Sequence, residues 1–164
     1  MNTTNRRSLD SVKDWPFFVE DCPVPADCLP RIRPLTQDSA RAVWFEFVDS
    51  NVRHSHPTLL PDTSWPVQIV SSSISARWQD DWDDDTATDF STWLQRVVTW
   101  SEDAPVIFTW SSIESVETTW SVFCRCWRSF LFEDEGPFIW SLQQSDAIRF
   151  MPSGVAYVGH RFRL

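Results

Sequence analysis

Two acidic clusters and a histidine pair are the residues best placed by type and spacing to do chemistry. Asp80, Asp81, Asp83, Asp84 and Asp85 surround Trp82, and Glu133, Asp134 and Glu135 precede Gly136-Pro137. Carboxylates at this density serve either a hard cation or the basic side chains of a protein partner. Asp81-x-Asp83-x-Asp85 copies the opening of a calcium loop, but Thr86 replaces the turn glycine and Thr92 stands where the bidentate glutamate would be. A dedicated calcium site therefore fails. His54-x-His56 would point two rings the same way on a strand, yet no Cys or Glu follows closely and Asp62 is the nearby carboxylate. Two solvated loop histidines are the expectation. Cys124 and Cys126, two apart on a helix, lie about 200° around its axis and cannot clasp one metal. Cys22 and Cys28 are separated across Pro23 and Pro25 and match no zinc knuckle. Four reduced thiols, no metal and no cofactor are expected.

Catalytic signatures are missing. No phosphate loop, dinucleotide fingerprint, nucleophile elbow or zinc-protease helix is present, and with 3 Gly in the chain a hidden glycine-rich cradle has little to be built from. His160 and Arg161 can in principle meet Glu133, Asp134 and Glu135 across a sheet as an acid-base set, but a salt-bridged strand end explains the same residues without chemistry. No catalytic residue is assigned. The 14 basic and 23 acidic side chains leave a net charge of −9. That field repels nucleic acid and anionic membranes and steers a basic partner inward. Arg6 and Arg7 have no apolar run of signal-peptide length behind them, and no stretch approaches a membrane span, so a cytoplasmic location is expected.

The elements that must hold these residues are legible in the apolar pattern. At 164 residues the chain can bury roughly two thirds of its unfolded surface, with 11 Trp and 12 Phe as its main core material. Residues 1–14 are polar and patternless and read as a flexible arm, with one domain over 15–164. Phe17, Phe18 and Val19 suggest a short edge strand, and prolines 23, 25, 30 and 34 then force an extended path. Thr36 caps a helix in which Ala40, Val43, Trp44, Phe47 and Val48 keep the helical period. Ile74, Trp78 and Trp82 at i, i+4 and i+8 predict a short amphipathic helix over 71–82. Asp89 caps another, with Phe90, Trp93, Leu94, Val97 and Val98 on its apolar side.

Val106, Ile107, Phe108 and Trp110 suit a buried strand that Ser111 and Ser112 interrupt. A helix capped by Thr118 follows, with Glu114 and Glu117 near its positive end. Trp120, Phe123, Trp127, Phe130 and Leu131 share one side of it, and Arg125 and Arg128 sit near its C-terminus. Phe138 to Leu142, Ala147 to Met151 and Val155 to Phe162 then read as an antiparallel meander turned at Pro152-Ser153-Gly154. The expected class is α+β: a C-terminal antiparallel sheet of about four strands packed on the central amphipathic helix, with additional N-terminal helices.

The central run resembles a family of small gammaproteobacterial proteins whose biochemical role is unassigned. Val116-Glu117-Thr118-Thr119-Trp120, Phe123, Arg125, Trp127, Phe130-Leu131-Phe132, Asp134, Gly136-Pro137 and Gly159-x-Arg161 carry the resemblance. It extends from Trp15 to Arg161 through Pro34-Leu35-Thr36, Arg41, Trp44, Trp78 and Trp82. The chain departs from the pattern after Gly136-Pro137, where basic residues are expected and Phe138 to Leu142, Gln143 and Gln144 stand instead. That departure takes away the support for an anion site on this strand.

The expected function is an acidic cytosolic interaction protein, such as an immunity protein or inhibitor neutralising a basic toxin or enzyme. Its partner-binding residues would be Asp80, Asp81, Asp83, Asp84, Asp85, Glu133, Asp134 and Glu135. The alternative is a small-ligand-binding or catalytic protein with an aromatic-lined pocket.

Overall fold

The computed structural model describes residues 5–84, 86–132 and 135–161. Strand β1 is Arg33–Pro34, β2 Ser75–Arg77, β3 Pro105–Ser111, β4 Glu114–Thr119, β5 Phe138–Ser141, β6 Asp146–Met151 and β7 Val155–His160. The helices are α1 (Gln37–Phe47), α2 (Trp65–Gln68), α3 (Asp89–Val97) and α4 (Trp120–Leu131). The strands form one antiparallel sheet in the order β1-β4-β3-β5-β6-β7-β2.

The architecture is α+β, but the sheet has seven strands among the described residues rather than about four. The expected strands are present as β3, β5, β6 and β7. The three additions are β4, β1 and β2. Glu114 to Thr119 looked like the approach to a helix because its glutamates suit a helix dipole. Its β-branched residues instead pair with β3 across the Ser112-Ile113 turn, Val116 opposite Phe108 and Thr118 opposite Val106. The buried Thr109 and Ser115 hydroxyls meet at 2.9 Å across this ladder. Glu117, partly buried opposite Ile107, accepts from Arg6 Nη2 through both carboxylate oxygens at 2.8 Å. Arg33–Pro34 adds the edge beyond it.

The helix expected over 71–82 is replaced by β2 and a 3₁₀ turn at Gln79–Asp81. The edge of β7 offers unpaired backbone groups, and Ser75 to Arg77 fill them opposite Tyr157 to Val155. The Trp78 amide continues the bond pattern to the Gly154 carbonyl at 2.9 Å. Trp78 and Trp82 still touch, edge to face with centroids 5.6 Å apart. Similarly, Pro16–Phe18 forms a 3₁₀ turn rather than an edge strand, since Pro16 fixes a helical φ at its start.

Period-two alternation divides the core between the two sheet faces. Val106, Phe108, Trp110, Val116, Ile139, Ile148, Phe150, Ala156 and Val158 point to the face covered by α3, α4 and the N-terminal segment, in which Val12 is buried. Ile107, Phe138, Trp140 and Ala147 point to the opposite face, covered by α1, α2 and the Leu60 turn. α4 is buried on nearly every side, including Ser129, whose hydroxyl donates to the Cys22 carbonyl at 2.8 Å. Its regular path breaks at Cys126, where φ is −117° and ψ 17°.

Trp127 lies between Phe90 at 4.9 Å and Trp82 at 5.8 Å, with the Arg128 guanidinium over its ring at 4.6 Å. Trp127→Ala removes a fully buried indole and leaves a cavity, with an expected loss of about 3 to 5 kcal/mol. Denaturant unfolding reads it directly, and an unchanged midpoint contradicts the packing described.

Candidate functional site

The described carboxylates around Trp82 stand in different settings. Asp81 is turned inward, 8% exposed, and its carboxylate accepts from the Phe90 amide at 2.7 Å. It thereby satisfies an orphan N–H in the first turn of α3, whose flanking Thr88 makes no side-chain cap. Asp80 is exposed and pairs with Arg77 at 3.0 Å. Asp84 closes a turn on Thr86, whose hydroxyl and amide donate at 2.6 and 2.9 Å and hold the carboxyl below its ordinary range. Asp83 is exposed. Asp85, Glu133 and Asp134 lie outside the described residues.

Where a calcium loop would gather oxygens on a cation, this loop gathers backbone carbonyls on an arginine. Arg128 Nη2 donates to the carbonyls of Asp81, Asp84 and Ala87 at 2.6, 2.7 and 3.4 Å. Its planar fork, stacked on Trp127, ties the carbonyls of Asp81, Asp84 and Ala87 together.

Glu135, the described member of the second cluster, does not join the C-terminal pair. His160 Nδ1 lies 2.9 Å from Asp146 across the β6–β7 ladder, and Arg161 Nη2 donates to the Ser141 carbonyl at 3.1 Å. Glu135 instead reaches His56 Nε2 at 3.0 Å. The cysteines offer no nucleophile on α4, since burial pushes the Cys124 and Cys126 thiols up to about 12.

The convergence of polar groups with an apolar wall occurs at the two histidines. A pocket of about 410 Å³ opens between α1, the loop after it and the β3–β4 turn. Trp44, Phe45, Val52 and Ile113 give it apolar walls; Arg41, His54, His56 and Ser111 are among its polar ones. The Ser112 amide donates to the Ser55 carbonyl at 2.8 Å and ties the loop to the turn.

Each imidazole has its tautomer set by its neighbours. His54 Nδ1 lies 3.1 Å from Asp49 Oδ2, and Asp49 Oδ1 accepts from the Asn51 amide at 2.6 Å. An Nδ1–H donating to this carboxylate leaves the Nε2 lone pair as an acceptor and proton-accepting atom. His56 is occupied on both sides: Nδ1 accepts from the Thr58 amide and meets its hydroxyl at 2.8 Å, while Nε2–H donates to Glu135. Asp49 is five residues from His54, a local signal that marks the pair in the sequence. Glu135 is 79 residues from His56 and had none. Among the described residues, no group of three or more His, Cys, Asp or Glu is arranged to hold a metal.

Asp81→Ala should cost about 1 to 2 kcal/mol, since it removes the capping acceptor of α3. Asp83→Asn at an exposed position should stay within about 0.5 kcal/mol. Equal effects in urea unfolding contradict the division between inward and outward carboxylates.

Among the described residues no helix is long and apolar enough to cross a membrane. No curated protein and no solved structure matches the chain. One family model matches residues 8–159, nearly the whole length, and the chain therefore belongs to the family described as protein of unknown function, DUF2947.

Proposed function

We propose that the protein binds a small anionic ligand with an apolar portion in the pocket beside His54. The observation that carries this reading is the Asp49–His54 pair at 3.1 Å on the wall of a pocket of about 410 Å³ that also holds Arg41. Arg41 supplies the fork suited to a carboxylate or phosphate, and its pairing with the exposed Asp38 at 3.5 Å is loose. Trp44, Phe45 and Ile113 receive the apolar portion. His54 Nε2 accepts a hydrogen bond or a proton from the ligand.

A second reading keeps the basic protein partner, with the chain acting as an immunity protein or inhibitor in the cytoplasm. It is supported by the charge of −9 and by the exposure of Asp80, Asp83 and Asp84. Asp81 has no part in it, because its carboxylate is committed to α3.

Phenyl phosphate and benzoate are suitable probes of the pocket, measured against chloride at matched ionic strength. At ten times its Kd a ligand adds about 1.4 kcal/mol and raises Tm by about 3 to 6 °C. Arg41→Ala and His54→Asn should each weaken that binding about tenfold or more. If neither probe shifts Tm up to millimolar concentrations, the pocket reading fails. Salt-sensitive association with a basic protein, weakened by Asp83→Asn and Asp84→Asn, would then favour the partner.

A further inference from the structure

Arg149 stands in the middle of β6, opposite Phe138 on one side and Tyr157 on the other. The alternation of β6 puts it on the sheet face of Ala147, Phe138 and Trp140, so a guanidinium occupies a position where an apolar side chain would pack. It is 5% exposed. Its Nε and Nη1 are buried and have no hydrogen-bond partner, and among the described residues no carboxylate pairs with it. What it does contact is the ring of Phe138, 5.5 Å from the guanidinium carbon.

Burial pushes Arg149 down to about 10, which leaves it charged at neutral pH. A buried charge without a counter-ion costs several kcal/mol, and a ring face returns about 1 to 2. Other arginines have acceptors for their terminal nitrogens: Arg128 donates to three carbonyls, and the more exposed Arg6 and Arg125 pair with carboxylates. Arg149 Nε and Nη1 have no acceptor among the described residues.

The turn beyond it is shaped to the same guanidinium. Gly136 has φ +81°, and a Cβ on it would stand 3.0 Å from Arg149 Nη2. A side chain there meets both backbone strain and the arginine, so this turn approaches Nη2 only as glycine. Glu135, the preceding residue, holds the turn through its bond to His56. That bond joins an exposed carboxylate to a half-buried imidazole, a contact worth little against solvent. The Phe150 amide donates to the Pro137 carbonyl at 2.9 Å and holds the turn beside Arg149.

We propose that Arg149 and the turn at Glu135-Gly136-Pro137 form an oxyanion-binding site that takes the carboxylate or phosphate group of a small molecule. The anion meets the guanidinium fork and supplies a counter-charge that no described residue provides. The site is separate from the pocket at Arg41 and His54, whose lining does not include Arg149. It lies on β6, beside the strand whose own residues carry no basic group.

The test is run in full-length Arg41→Ala, which removes the fork of the His54 pocket, and compares it with the same chain carrying Arg149→Met or Arg149→Gln in melting experiments with sodium phosphate, sodium acetate or sodium chloride at equal ionic strength. Arg41→Ala should gain Tm in phosphate or acetate relative to chloride, and the larger gain identifies the anion class. Adding Arg149→Met should abolish that gain while Tm in chloride equals or exceeds that of Arg41→Ala, because an apolar chain of similar length removes an unpaired buried charge. Adding Arg149→Gln repeats the comparison if the methionine variant does not fold. Phosphate linewidths in ³¹P spectra of Arg41→Ala give a direct readout that needs no change at Arg149. An anion response retained with both Arg149 substitutions, no response and no line broadening in Arg41→Ala, or a Tm several degrees lower in chloride on adding either Arg149 substitution would each overturn the proposal.

Discussion

The constraint on which the structure depends is that its central strands are buried on both faces. β3 and β5 lie in the middle of the sheet, and all of their residues from Val106 to Ser111 and from Phe138 to Ser141 are buried. An antiparallel sheet with one wet face would alternate apolar and polar residues. Here alternation divides one apolar core from another. Phe108 meets Trp110, Phe123, Phe130 and Phe150 on the α4 side, and Phe138 meets Trp44, Trp65 and Trp140 on the α1 side. Such rings associate edge to face or offset, each pair worth about 0.5 to 1.5 kcal/mol beyond its buried area. Both helical layers are consequently tied to the same two strands.

That arrangement sends polar chemistry to the rim. Inside the layers a charged group needs partners, which Arg128 finds in three carbonyls and Asp81 in the Phe90 amide, while Arg149 has a ring face alone among the described residues. The pocket beside His54 forms where α1 ends and the chain has to leave the second layer to reach Pro57. Trp44 belongs both to the core and to the pocket wall, and so does the continuity between stability and binding. The turn carrying Glu135 reaches the same rim from the far end of α4, bridging to His56. Glu135 and His56, far apart in sequence, thus meet beside this opening, outside the aromatic core.

The strands with continuous aromatic or β-branched runs were legible in the sequence, as were α1, with its Thr36 cap, and the buried indoles of α4. Edge and intermediate strands were not. β4 alternates Ser, Val and Thr with glutamates, and its strand character comes from pairing with β3 rather than from its own composition. β2 has three residues inside a stretch whose Ile74, Trp78 and Trp82 spacing matches a helix, and the free edge of β7 overrides that local pattern. The acidic run announced itself by density alone. Density cannot distinguish a capping carboxylate such as Asp81 from a solvent-facing one such as Asp83, since the difference is set by where α3 begins. His54 and Asp49 were close enough in sequence to be paired by inspection, whereas the contribution of Glu135 depends on tertiary closure.

The chain has 3 His, at positions 54, 56 and 160, and each occupies a different electrostatic setting. Imidazole NMR spectra of the wild-type protein, titrated with phenyl phosphate, therefore test the pocket most directly. The expected result is a saturable shift of the His54 signals, a smaller one at His56, and none at His160, whose partner is Asp146 on the β6–β7 ladder. Shifts confined to His160, or equal small drifts at all three positions, would contradict the assignment of the pocket at His54 as the functional site.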